Sequence, residues 1–375
     1  MQGFIGRGAW LSLAVLLAAC GGGGSEKTSS PPASTPPPSA PSTPPPETPA
    51  PTPAPTPTPP PPTSPTPPPP STPIADASCT KIDSKISAGT TKVAQCDSSK
   101  YDVLTNIGYA NGGSHLFDLY KARGATGALP LVIWIHGGSW RYLDKMTMEP
   151  ARSLICNGYA VASIDYRLTT EAIFPAQIVD VKAAIRHLRA SAATYGIDPN
   201  RIAVFGSSAG GHLSALAGTS GGVTDLENLQ MGNSTTSSRV QAVVDWFGHS
   251  DLEKYDEHTL AQGCPASDAT HSQPDSLESK FLGCTLGDPA CSAQAQRANP
   301  ARYVSADDPP MLIMHGTADC RVPRAQSVLL FDAMKAKDKC ASMYTVEGAG
   351  HSTDDWLNEP PQELVLEFLD AVLKK

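Results

Sequence analysis

The chain has 375 residues and a net charge of −8, with no basic patch of the kind phosphate contacts need, which argues against a nucleic-acid partner. Of its 37 prolines, 24 lie between Pro31 and Pro73, in a stretch otherwise mostly Thr, Ser and Ala. That stretch cannot bury a core and reads as extended and solvated, which leaves one large domain, or at most two, for the rest.

Residues 1–19 read as an export signal. Arg7 supplies the positive start, and residues 9–19 are apolar but short for a bilayer span. The stretch ends Leu17-Ala18-Ala19-Cys20 before Gly21 to Gly24, which resembles a bacterial lipoprotein signal with its lipobox. The resemblance implies cleavage before Cys20, a diacylglycerol on its sulfur and an acyl chain on its new amino group. More than one chain makes such membrane anchoring stable. It further implies residence in the bacterial cell envelope, facing the periplasm or the outside. The alternative is an ordinary secretory signal with an incidental cysteine. Residues 20–74 are then a disordered tether, able at ~3.1 Å per residue to hold a domain on the order of 100 Å from the membrane. Residues 75–375 then form the folded domain.

Eight cysteines follow Cys20, an even number that suits disulfides in an exported protein. Cys79–Cys96 and Cys284–Cys291 are the expected local pairs, with Cys264–Cys320 a further suggestion. Cys320 and Cys340 flank an expected helix that separates them by ~20 Å, too far for a bridge. No C-x-x-C or clustered Cys/His spacing points to a metal.

Two β-rich runs, 101–110 and 115–122, flank Asn111-Gly112-Gly113-Ser114 and predict a hairpin. Residues 129–135 are almost continuously apolar, as in a strand buried on both faces. A helix over 149–157, a strand over 159–165 and an amphipathic helix over 175–195 follow. A strand from Ile202 leads into a helix after Ser208. Strands over 240–247, 310–314 and 343–346 and helices over 324–336 and 361–374 complete the chain. Strands alternating with helices predict an α/β fold, a mostly parallel sheet with a leading antiparallel hairpin and helices on both faces. Residues 252–303 lack a clear strand and predict short helices and loops over the site.

Gly206-Ser207-Ser208-Ala209-Gly210 reads G-x-S-x-G at a strand-to-helix turn, where glycines let the two backbones pass closely. Gly218-Thr219-Ser220-Gly221-Gly222 has the same spacing but follows a helical pattern, so it reads as a helix stop. A serine nucleophile needs a base, an orienting acid and fixed N–H donors for the oxyanion. His351 leaves the last strand and Asp319 the penultimate one, and Ser208, Asp319 and His351 follow the chain order of α/β-hydrolases. Asp245 and Asp251 are rivals for the acid, and His249 comes nearest among the other histidines to a strand-end setting. His136-Gly137-Gly138-Ser139-Trp140 ends the first parallel strand. Its glycines free the backbone to supply the donors: Gly138 and Ser139 with Ala209, or Gly137 in the alternative register. Trp140, Tyr166 and Trp246 are candidates to line the acyl or sugar site, or else core aromatics.

These motifs, with Asp165-Tyr166-Arg167-Leu168, Phe174-Pro175-Ala176-Gln177 and His315-Gly316-Thr317-Ala318-Asp319, resemble the hormone-sensitive-lipase-like branch of α/β-hydrolases. Within it they are most similar to bacterial carbohydrate esterases of the bifunctional feruloyl and acetyl xylan esterase type. Ser139 stands where that branch usually has a third glycine. The resemblance covers roughly residues 101–373 and implies hydrolysis of short-chain or aromatic acyl esters on plant polysaccharide, without metal or cofactor. The alternatives are a general short-chain carboxylesterase or lipase-like hydrolase, a formamidase-type amidase, a peptidase of the same fold, and a surface binding protein on a hydrolase scaffold. The peptidase would need an added domain for which no repeat is present, and a lipidated tether argues against a cytosolic amidase. A binding protein would be expected to have lost a triad member, and none is lost.

Overall fold

The computed structural model describes Val93, residues 96–358 and residues 360–374, all within the unit Thr63–Lys375. The expected signal segment, Cys20, the expected tether and Cys79 lie outside the described residues. Eight strands form one sheet in the order β1-β2-β4-β3-β5-β6-β7-β8. The hairpin of β1 (Tyr101–Gly108) and β2 (Leu116–Ala122) is antiparallel, and β2 also runs antiparallel to β4 (Ala160–Ile164). From β4 through β3 (Leu129–Ile135), β5 (Ile197–Ser207), β6 (Ala242–Trp246), β7 (Met311–Gly316) and β8 (Ala341–Val346) every pairing is parallel. β1 is largely exposed, as an edge strand of a hairpin can be, whereas β4, β6 and β7 are buried at every residue.

Helices cover both faces. α1 (Glu149–Cys156) and the closing α9 (Pro361–Leu373) share one apolar cluster with Val132, Phe205, Val244 and Leu312. α2 (Ala176–Ala190), the short α3 (Ala192–Tyr195) and α4 (Ala209–Thr219) pack on the other face with Leu131, Ile133, Val204 and Ile313. Short helices α5 (Tyr255–Ala261), α6 (Leu277–Leu282) and α7 (Ser292–Arg297) fill the long connection between β6 and β7, and α8 (Ala325–Lys335) joins β7 to β8. The residues alternate along each parallel strand between these two clusters, because successive side chains of a strand point to opposite faces.

Two expected elements differ from the sequence reading. The helix over 175–195 divides at Ser191, whose φ of −98° and ψ of 15° leave the helical region, and ends on left-handed Gly196. β5 begins at Ile197, earlier than Ile202. Its Asp198-Pro199-Asn200 turn is accommodated inside the strand by a register shift against β3, with the Asn200 N–H donating to Asp198 Oδ1 at 2.8 Å. The disulfides also correct an expectation. Cys96 bonds Cys156, 60 residues away, because the last turn of α1 comes within a Cα separation of 5.4 Å. Cys284–Cys291 and Cys264–Cys320 form as read from the sequence.

One buried carboxyl makes the fold sensitive to pH. Asp245 in β6 is 1% exposed, and its Oδ1 accepts the Gly248 N–H while Oδ2 has no partner among the described residues. Burial pushes it from the ordinary carboxyl range up to about 7. The unfolded chain therefore loses this proton at lower pH than the folded one. Asp245's contribution to stability is full below about pH 4 and is lost as pH rises through 7. Asp245→Asn keeps the Gly248 contact without a charge to bury. Its melting midpoint is expected to exceed wild type by several degrees at pH 8, a gap that closes by pH 4. Equal midpoints at pH 8 would show that Asp245 ionises without penalty.

Candidate active site

Ser208 sits at the break between β5 and α4 with φ 55° and ψ −122°. A non-glycine residue held at positive φ is strained and persists only where its surroundings fix it. Here the crossing of strand and helix does so. A Cβ at Gly206 would overlap the Gly210 carbonyl, and one at Gly210 would overlap the Ile135 carbonyl. Only glycine at both positions lets α4 start this close to β3. The Ser208 N–H is bonded to Trp246 of β6 at 2.9 Å, which pins the turn to the adjacent strand.

The loops after β7 and β8 are tied to each other. The Ala318 N–H donates to the Ala349 carbonyl at 3.0 Å and the Thr317 N–H to the Val346 carbonyl at 3.1 Å. This brings together Asp319 and His351, 32 residues apart. His351 Nδ1 donates to Asp319 Oδ2 at 2.7 Å, and Ser208 Oγ donates to His351 Nε2 at 3.0 Å. Asp319 is fully buried and its other oxygen accepts the N–H groups of Arg321 and Val322, both at 2.9 Å. Burial pushes its carboxyl up, but bonds from His315 and His351 outweigh that and hold it well below the usual carboxylate range. A permanent carboxylate thus fixes the imidazole tautomer that leaves Nε2 free to take a proton from Ser208. Phe247 packs edge-on against His351 with ring centroids 4.8 Å apart, which limits the imidazole's swing.

The His136–Trp140 turn carries three successive positive φ values, at Gly138, Ser139 and Trp140. The Gly137 carbonyl accepts from His136 Nδ1 at 2.8 Å, and the Gly138 carbonyl accepts the N–H groups of Arg141 and Tyr142 at 3.0 and 2.9 Å. In a planar trans peptide the N–H points opposite to its carbonyl. The N–H groups of Gly138 and Ser139 therefore face away from those bonds. Gly137 itself lies against the nucleophile, since a Cβ there would meet Ser208 Cβ at 3.4 Å. With the Ala209 N–H at the start of α4, this turn can receive a developing oxyanion. Beneath it His136 stacks on Tyr166 at 4.3 Å, and Tyr166 Oη donates to the His136 carbonyl at 2.9 Å. Burial brings His136 down to about 4, so it holds the turn as a neutral ring. Farther along the loop, the Lys145 N–H donates to Asp165 Oδ1 at 2.8 Å and Ser163 Oγ to the Lys145 carbonyl at 2.6 Å.

Two lobes open from Ser208. One, of about 820 Å³, is lined by Tyr142, Leu143, Trp246, Phe247, His351 and Trp356. The other, of about 720 Å³, is walled by His249, Tyr255, His271, Gln273 and residues 275–278. Ser139, Ser208, Leu277 and Arg321 border both. The long β6–β7 connection thus contributes one wall of the site.

Not every sequence candidate reaches this cleft. Trp246 lines the aromatic lobe, but Trp140 and Tyr166 line neither. Trp140 is fully buried, stacks on Phe281 at 4.1 Å and donates its indole N–H to His212 Nδ1 at 3.2 Å. Both are core supports of the oxyanion turn, so their reading as substrate contacts is corrected. Buried His212 donates Nε2–H to the Ala298 carbonyl at 2.7 Å, away from the serine. Ser220 is buried at the end of α4 and bonds its Oγ to the Leu216 carbonyl, so the second G-x-S-x-G is a helix stop. Asp251 caps the Glu253 N–H at 3.1 Å. Two supports escaped the sequence reading. His315 donates Nε2–H to the Val322 carbonyl at 2.8 Å while lying 3.5 Å from Asp319 Oδ2, and its spacing four residues before Asp319 was the available signal. Gln262 Nε2 donates to the Asp319 carbonyl at 2.6 Å, a contact with no signature in sequence.

The sequence profile of the BD-FAE family matches residues 117–334. Among curated proteins, the esterase LipC of Mycobacterium tuberculosis is 31% identical over 250 residues, 66% of this chain and 59% of its own length. The chain thus spans little more than half of that relative. Among solved structures, a truncated carbohydrate esterase from gut microbiota superposes with a TM-score of 0.67 at 32% identity, covering 75% of this chain and all of the other. A bifunctional GH43-CE protein of Bacteroides eggerthii gives 0.63 at 31% identity, covering 74% of this chain and 35% of the other.

Proposed function

The chain belongs to the BD-FAE family of α/β-hydrolases, and from that premise we propose that it is a serine carboxylesterase removing short or aromatic acyl groups from plant cell-wall polysaccharide. The continuous relay from Ser208 Oγ through His351 to Asp319 carries this reading. Ser208 attacks the ester carbonyl as His351 Nε2 takes its proton. The oxyanion forms against the N–H groups of Gly138, Ser139 and Ala209. Asp319 stabilises the imidazolium, which then protonates the departing alcohol, and water activated by the same imidazole releases the acid. The names of the two solved carbohydrate esterases support a sugar ester as substrate.

The cleft walls support a short or aromatic acyl group. Phe281 and Leu282, which could have lined a groove for a long chain, are buried. At ~0.8 kcal/mol per buried methylene, a long chain gains little where the nearby wall is His249, His271 and Gln273. We expect kcat/KM across p-nitrophenyl esters to peak at the short chains, and acetylated or feruloylated xylo-oligosaccharides to be turned over. A steady rise toward palmitate with activation at an oil–water interface would identify a lipase instead.

The Leu17-Ala18-Ala19-Cys20 sequence and the tether support export and lipidation at Cys20. Wild-type protein is expected to incorporate labelled palmitate and sediment with membranes, and Cys20→Ser to lose the label. Equal labelling of both would remove Cys20 as the anchor.

A further inference from the structure

The lobe opposite His351 contains an unsatisfied group that the ester-cleaving relay does not use. His249 follows β6, is 3% exposed and helps wall the cavity that Ser208 borders. Its Nδ1 lies 2.8 Å from Tyr255 Oη, and that hydroxyl also lies 3.1 Å from the Arg321 carbonyl. A carbonyl can only accept, so the single tyrosine proton goes to Arg321 and His249 Nδ1–H donates to Tyr255. That tautomer leaves Nε2 as a bare acceptor, buried and without a partner among the described residues. Burial holds His249 well below the ordinary imidazole range, so the acceptor is not lost to protonation near neutral pH. His271, which walls the same lobe, also has an Nε2 without a hydrogen-bond partner, its Nδ1 lying 3.1 Å from Glu278.

We propose that this lobe is a hydroxyl-reading subsite in which His249 Nε2 accepts a hydrogen bond from a hydroxyl group of the substrate. A buried acceptor left unpaired is costly, and a hydroxyl that reaches it relieves that cost only in the complex. A site built this way favours a hydroxylated substrate over the same substrate without the hydroxyl. The proposal rests on the ester-hydrolase reading and deepens it. The imidazole of His351, which must protonate the leaving oxygen, lines the aromatic lobe and not this one. The departing alcohol is therefore assigned to the aromatic lobe and the acyl group to the His249 lobe. A hydroxyl on the acyl group is accordingly the favoured source, and a free hydroxyl on the alcohol is the other.

The test compares kcat/KM within two substrate pairs for wild type, His249→Phe and His249→Gln. Methyl p-coumarate against methyl 4-methoxycinnamate varies the acyl hydroxyl. Glyceryl monoacetate against glyceryl triacetate varies hydroxyls on the alcohol. His249 packs on the Trp140 ring with centroids 4.6 Å apart; a phenyl ring keeps that contact and lacks any acceptor, while glutamine restores one, and thermal melts establish that each variant is folded. Wild type should prefer the hydroxylated member of one pair, and which pair identifies the source. His249→Phe should reduce that preference on the order of tenfold, and His249→Gln should recover part of it. A loss equal for both members of each pair, or no preference in wild type, overturns the subsite. Failure of the polysaccharide reading shows separately, as hydroxyl preference on these small esters with no turnover of acetylated xylo-oligosaccharides.

Discussion

Ser208→Ala, in protein that melts like wild type, is expected to lower kcat for p-nitrophenyl acetate by on the order of 10⁴- to 10⁶-fold, and His351→Ala by a similar factor. The reason is geometric. Ser208 Oγ has one base within reach, at 3.0 Å, and no other histidine of the described residues bonds it. Asp319→Asn is expected to cost about 10⁴-fold. An asparagine carbonyl can still accept the N–H groups of Arg321 and Val322. Its amide then faces His351 Nδ1 as a donor, so the ring is driven to the tautomer that carries its proton toward Ser208. Combining any two of these substitutions should cost little more than the larger alone, because the three residues act as a unit. Near-wild-type turnover in folded Ser208→Ala protein would place the chemistry elsewhere and defeat the assignment.

Gly138→Ala is expected to reduce kcat by about 10²- to 10³-fold with a much smaller change in KM, the size of losing an oxyanion donor. Gly138 holds φ at 92°, and a Cβ there would overlap the Tyr142 carbonyl. The turn must then rotate, and with it the peptide planes that present the N–H groups of Gly138 and Ser139. Ser139→Ala is the comparison. It keeps the N–H and removes only a hydroxyl, so its loss should be far smaller. A larger loss for Ser139→Ala than for Gly138→Ala would mean that the serine side chain, and not the backbone, meets the oxyanion.

The sequence by itself determined the strand and helix order, the elbow serine and the acid and base that follow it. Those features are local: a glycine-flanked serine after an apolar strand, and a polar residue just past each of two strand ends. In a parallel sheet the strand ends fall along one edge, so order in the chain becomes proximity in space. The oxyanion turn was only half legible in the sequence. The glycines of 137–138 announced a special backbone, but the direction of each N–H depended on carbonyl partners at His136, Arg141 and Tyr142.

Other features were decided only by the tertiary structure, because they depend on which side chains meet across the fold. Trp140 belongs to the glycine-turn motif and Tyr166 follows β4, yet both rings are buried in the core, Trp140 against Phe281 and His212 and Tyr166 against His136. Cys96 meets Cys156 and not a nearer cysteine because α1 ends beside the start of the sheet's edge hairpin. Asp245 reads in the sequence only as a strand residue and a rival for the catalytic acid. Its high pKa arises from full burial beside Gly211 and Gly248. His249 likewise becomes an open acceptor only through Tyr255 and Arg321, residues 6 and 72 positions away, whose carbonyl and hydroxyl fix where its proton sits.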